Sequence, residues 1–189
     1  MDRSPRDKRP LVRAAALVLL VGLLLGVVVG PAACGNDDDS PDNPPPTTPP
    51  PNAESEVESA YLAYWEMLQR LSAAPDESDL EIVERAIGQA LGEVKEGLAS
   101  LKSQGRAAQT GPAYQHEVQS VELRGDEAII RDCSVDDSVV IDVVTGEQVA
   151  GGAMATGLLE VTLVRSGGEW KVEKIETIKT WAGERSCDV

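Results

Sequence analysis

"LASLKSQGRAAQTGPAYQHEVQSVEL", residues 98–123, changes its period part-way along. Before Gly105, apolar residues recur at helical steps, with Val94, Leu98 and Leu101 on one stripe. After Gly105 the spacing falls to two, and Tyr114 to Leu123 reads as a strand. Helices therefore lie on one side of this stretch and strands on the other.

Upstream, Val57, Tyr61, Tyr64, Leu68 and Leu71 fall at steps of three and four, one face of an amphipathic helix that Pro75 ends. Asp79 can cap a second helix with the stripe Leu80, Val83, Ile87 and Leu91, which Gly88 and Gly92 break or bend. Downstream, Arg124-Gly125-Asp126 reads as a tight turn and Glu127 to Val135 as a returning strand. Ser138 to Val144 makes another strand, followed by a turn at Thr145-Gly146-Glu147. Leu158 to Arg165 and Glu169 to Thr180 form a hairpin around Ser166-Gly167-Gly168. The expected class is α+β, with three N-terminal helices packed on one face of a curved antiparallel sheet. Curvature has its own signal. Trp170 and Val172 share one parity and Ile175 and Thr177 the other, so one inserted residue, a bulge, is expected between them.

The chain has 189 residues, room for one ordinary domain and accessory segments. Hydrophobic residues make up 42%, but aromatics only 3%, with no Phe. Val, Ile, Leu and Ala must therefore build the core. The formal net charge is −15. Arg3, Arg6, Lys8, Arg9 and Arg13 precede a long apolar run, together with Asp2 and Asp7. Without them, 12 of the 17 Lys and Arg face 30 of the 32 Asp and Glu, a net of −18. Such a surface repels a phosphate backbone, and no basic stripe with interleaved aromatics is present, which excludes nucleic acid as a partner.

Residues 1–33 have the layout of a secretory signal: a basic region to Arg13, an apolar run from Ala14 to Val29, then small residues. Ala32-Ala33-Cys34-Gly35 resembles a bacterial lipobox, which implies that Cys34 is diacylated and becomes the mature N-terminus. Pro31 departs from the aliphatic residue usual at that place. An uncut signal anchor spanning from Ala14 to Ala33 is the alternative. Either way the positive end stays inside and residues 35 onward are tethered to the outer face of the cell membrane. Residues 34–53 then read as the lipidated Cys and a disordered spacer. Asn36 to Ala53 holds seven of the twelve prolines and the acidic trio Asp37, Asp38 and Asp39. Polyproline II at about 3.1 Å per residue gives a reach of roughly 50 Å from the headgroups.

Residues 54–189 form the expected domain. The segments "AYLAYWEMLQRL", "AIGQALGEVKEGLASLKSQG", "VQSVELRGDEAIIRDCSVDDS" and "LLEVTLVRSGGEWKVEKIET" occur in this order, followed by a Cys near the end. The order resembles the NTF2-like (cystatin-like cone) domains of envelope lipoproteins from high-GC Gram-positive bacteria. That resemblance implies a cone with a ligand pocket at its mouth, and a fold shared by isomerases, dehydratases and binding modules. Tyr61 and Tyr64, with Trp65 one step around, are expected to face that mouth as the candidate pocket; the alternative is core packing, since a domain without Phe must use its few aromatics there.

With Cys34 assigned to lipid, Cys133 and Cys187 remain, and in an exported domain they read as a disulfide. A metal or catalytic thiol would need close further ligands, which neither cysteine has. His116 is the only histidine and is expected to be a partly exposed structural residue at a strand start. "DCSVDDS" lacks the glycine spacing of a calcium loop and reads as a strand end and turn. "TGEQVAGGAMATG" lacks the Lys-Ser/Thr of a phosphate loop. No metal, cofactor or catalytic set is expected. The assignable inward positions carry mostly Ile, Val and Leu. The reading is therefore a non-catalytic domain that binds a small apolar ligand or an envelope protein. The alternative is an isomerase- or dehydratase-type pocket enzyme, whose mark would be Asp or Glu at an inward-facing strand position.

Overall fold

Spacing and burial agree along the first helix. A computed structural model describes residues 52–187. The signal segment, Cys34 and nearly all of the spacer lie outside the described residues, as do residues 188–189. Helix α1 runs Ala53–Ala73 and buries Val57, Tyr61, Tyr64, Met67 and Leu71. It stops two residues before Pro75, which disfavours helical geometry in the residue ahead of it. Among the described residues no helix is long and apolar enough to cross a membrane.

The second helix corrects the expectation. Asp79 does act at its start, its Oδ1 accepting the Glu81 N–H at 2.9 Å. Yet α2 is only Glu81–Arg85. Leu80 and Val83, expected on its buried stripe, are 76% and 40% exposed, whereas Ile82 and Ala86 are buried. The cause is competition for the backbone. Residues 86–87 turn extended and join the last strand, where the Ile87 N–H donates to the Val172 carbonyl at 2.9 Å. Gly88, at φ +57°, makes the left-handed step that restarts the helix as α3, Gly88–Ser103. Gly92 lies inside α3 without breaking it.

Seven strands follow: β1 Arg106–Gln109, β2 Gln115–Arg124, β3 Glu127–Asp136, β4 Val139–Asp142, β5 Gln148–Gly151, β6 Ala155–Ser166 and β7 Glu169–Ala182. The long ones form an antiparallel sheet in the order β2-β3-β6-β7. A smaller sheet, β1-β4-β5, was not legible as such, because β1 (RAAQ) and β5 (QVAG) are short and poor in β-branched residues. The expected bulge is present: Leu163 pairs with Val172 and Thr162 with Lys174, leaving Glu173 unpaired. Two more slips, at Ile178 and at Gln119, add to the curvature.

The helices cover the inner face of the four-stranded sheet. Tyr61, Met67, Ile82, Leu98, Ile130 and Leu163 are among the largest fully buried side chains. Among the described residues the core cluster draws on residues 57–175, and a chain from Asn36 onward is expected to fold alone.

On the opposite face, Cys133 of β3 is joined to Cys187 by a disulfide with Cα atoms 5.7 Å apart. The tail after β7 lies back over Thr156 of β6. The Thr156 hydroxyl donates to the Gly183 carbonyl at 2.8 Å and accepts the Arg185 N–H at 3.0 Å. These bonds satisfy a side chain that is otherwise fully enclosed.

Candidate functional site

Pairing of β2 with β3 sets His116 opposite Ser134 and Val118 opposite Asp132. His116 and Asp132 are therefore diagonal neighbours on the inner face, within reach of one another. The imidazole Nδ1 lies 2.7 Å from Asp132 Oδ2. An ionised carboxylate can only accept, so Nδ1 carries the proton and donates it. Nε2 lies 3.0 Å from the Tyr114 hydroxyl. From α1, the Tyr61 hydroxyl sits 3.3 Å from Nδ1. Trp65, one turn on, stacks flat over the imidazole with centroids 4.1 Å apart and planes 18° from parallel.

This corrects two expectations. The His116 side chain is 6% exposed and Asp132 is 0% exposed, so neither is a surface group. The inward parity also carries a carboxylate: Ala128, Ile130 and Asp132 alternate along β3, all buried. The strand runs through the segment read as its end, and its real end is Asp136. Asp132 Oδ1 and the Trp65 Nε1–H are both buried and lack a hydrogen-bond partner among the described residues.

All three tyrosines hold their protons above the ordinary phenol range, chiefly through burial. For Tyr61 the next cause is the negative charge of Asp132, for Tyr64 that of Glu93, and for Tyr114 that of Asp136. Near neutral pH the phenols around His116 are thus neutral hydrogen-bonding groups.

The expected pocket residues separate. Tyr61 is wholly enclosed beside His116. Tyr64 and Trp65 line a cavity of about 470 Å³ between α1, α3 and β7, with Leu68, Val94, Leu98 and Ile175. Its only charged wall residue is Glu93. A smaller cavity of about 160 Å³ lies on another side of Trp65, with Tyr114, Gln69 and Asp136 on its wall. Neither cavity is lined by His116, Asp132 or Tyr61. The indole is the partition. A buried His–Asp pair with phenols beside it has the components of a general base, but a base must come within hydrogen-bond reach of substrate. Among the described residues no group of three or more His, Cys, Asp or Glu is arranged to hold a metal ion.

The architecture, three helices on a curved antiparallel sheet, is that of an NTF2-like cone. Comparison with solved structures finds a likeness of fold. The intermembrane space region of the chloroplast protein ARC6 superposes with a TM-score of 0.55 at 16% identity, over 66% of this chain and 95% of that one. A ketosteroid isomerase-like protein from Erwinia carotovora atroseptica gives 0.43 at 17% identity, over 67% and 96%. An NTF2-like protein with a cystatin-like fold from Novosphingobium aromaticivorans gives 0.38 at 22% identity, over 65% and 81%. No family model matches the chain, and no curated protein does. The fold is shared; the function is not thereby given.

Proposed function

We propose that this chain is an extracytoplasmic protein held to the membrane through Cys34, whose cone domain binds a small, largely apolar molecule without chemically changing it. The observation that carries the reading is the position of Trp65. It closes off His116 and Asp132 on one side and walls an open apolar cavity of about 470 Å³ on the other. That volume is in the range of small-molecule sites, and its wall is mostly aliphatic and aromatic. The acidic spacer and the acidic domain suit a molecule kept clear of anionic headgroups, within roughly 50 Å of the membrane.

A second reading has one observation in its favour. Asp132 is an inward carboxylate bonded to the lone histidine, the mark expected of an isomerase- or dehydratase-type enzyme. Turnover would require Trp65 to leave its stack on every cycle.

Gly97 supplies the test. It lies on the wall of the larger cavity, and a Cβ there would meet nothing within 4 Å. A Leu at this position has room for its Cβ and should narrow the cavity, and Ala should strengthen the helix by about 1 kcal/mol. A neutral apolar fluorophore, N-phenyl-1-naphthylamine, is titrated into the chain from Asn36 onward. Saturable binding by wild type and Gly97→Ala, weakened at least tenfold in Gly97→Leu, supports the reading. Equal binding by Gly97→Leu, or none by wild type, overturns it.

A further inference from the structure

One face of α3 gives the cavity beside Trp65 a polarity of its own. Glu93, Val94, Gly97, Leu98 and Leu101 recur at helical steps and all line it. Val94 and Leu98 are buried, whereas Glu93 is exposed. The cavity therefore has an apolar floor and a carboxylate at its rim. A molecule that fits both ends has a carbon skeleton and a charged head that stays partly in water.

The sign of that head follows from the surrounding charges. Glu93 Oε1 accepts from the Gln89 amide at 2.7 Å, and among the described residues no cation pairs with this carboxylate. Neighbouring cations are engaged elsewhere: Lys174 of β7 lies 2.8 Å from Glu176, and Lys102 of α3 lies 2.9 Å from Glu77. Lys95 stands two positions from Glu93 on α3, a spacing that puts it on another face of the helix. The smaller cavity shares Trp65, Leu68 and Ser72 with this one, and its one charged wall residue is again an acid, Asp136. Neither wall carries a cation to receive an anion. The Glu93 charge also reaches inward: after burial, it is the next cause of the Tyr64 phenol holding its proton above the ordinary range.

We propose that the ligand of this cavity is an apolar amine, with its protonated nitrogen at Glu93 on the rim and its carbon skeleton among Val94, Leu98 and Ile175. The inference rests on the reading of this cavity as a binding site and assigns the charge of its ligand. At the rim the ammonium keeps part of its water, which spares it most of the cost of burying a charge. The same exposure limits the gain. An exposed ion pair is worth about fivefold in affinity or less, and burial of the skeleton supplies the rest.

Probes sharing one ring system separate charge from shape. N-phenyl-1-naphthylamine, neutral near pH 7, is bound to the chain from Asn36 onward and displaced by 1-naphthylmethylamine (cation), 1-naphthalenemethanol (neutral) or 1-naphthoate (anion). The amine is expected to displace it at about three- to fivefold lower concentration than the alcohol, and the carboxylate at a higher one. In Glu93→Gln the amine's advantage over the alcohol should disappear. Glu96→Gln removes an exposed acid that is not on the wall, and should keep the advantage, which excludes net charge as the cause. Melting curves show that each variant is folded. Equal displacement by amine and alcohol, an advantage that survives in folded Glu93→Gln, or one lost equally in Glu96→Gln overturns the proposal and leaves the apolar site standing. A fluorophore that fails to bind wild type removes the site and this proposal with it.

Discussion

Replacing His116 with Ala should destabilise this domain severely, and the reason can be followed atom by atom. Among the described residues the imidazole is the close partner of Asp132 Oδ2, with the Tyr61 hydroxyl beside the same carboxylate, and Oδ1 has none. Without it a carboxylate with 0% exposure is left uncompensated in the core. Breaking a buried pair by removing one member costs about 3–5 kcal/mol. The stacked indole of Trp65 loses its partner as well, worth about 0.5–1.5 kcal/mol. A loss of about 3–5 kcal/mol is a large share of the 5–15 kcal/mol typical of a folded domain. Urea unfolding followed by tryptophan fluorescence measures it, with Glu117→Ala on the outer face as a control expected to stay within about 0.5 kcal/mol. The double variant His116→Leu with Asp132→Leu removes both polar groups together. It should be less destabilised than the sum of the two single Leu variants by about 2 kcal/mol or more. A His116→Ala protein within about 1 kcal/mol of wild type, or strictly additive Leu variants, would refute the reasoning.

Cys187→Ser should lower stability by about 2–5 kcal/mol, read by thermal unfolding, and without reductant the native domain should resist thiol alkylation. The tyrosines predict an alkaline limit. Each phenol binds its proton more tightly folded than unfolded, so stability is complete below about pH 10 and falls as pH rises above it. With three such groups the slope approaches about 4 kcal/mol per pH unit, and phenolate absorbance should appear together with unfolding rather than before it. For the anchor, Cys34→Ala should abolish incorporation of labelled fatty acid and leave the unprocessed form in the membrane. Absence of label in wild type would favour the signal-anchor alternative.

Much of the fold could be read from the chain because its local signals agree with its tertiary structure. The stripe from Val57 to Leu71, the turn at Gly125 and the phase slip before Ile175 each carry a period that packing preserves. The second helix could not be read this way. Leu80 and Val83 have the right spacing for a buried face, but β7 takes the backbone of Ile87, a long-range hydrogen bond that no local pattern encodes. Cys133 and Cys187 were legible on the expectation of export, which leaves few uses for a pair of thiols. The polar cluster was half legible. Asp132 alternates with Ala128 and Ile130, and that parity was available, but three acids in "DCSVDDS" read more simply as a solvated turn. What no periodicity could supply is the diagonal across β2 and β3, since the unpaired Gln119 and the register decide which carboxylate meets the histidine.

The central claim is that His116 is walled off and belongs to the core rather than to a reaction. Because the chain has one histidine, chemical access to that residue can be measured alone. Diethyl pyrocarbonate is added to the tag-free chain from Asn36 onward, and carbethoxylation is followed at the imidazole absorbance band, native and in urea. The account predicts that native His116 reacts roughly a thousandfold slower than the unfolded residue, the factor set by about 4 kcal/mol of opening free energy. A native protein whose histidine is modified as fast as the unfolded one would contradict it, and would place His116 within reach of a substrate.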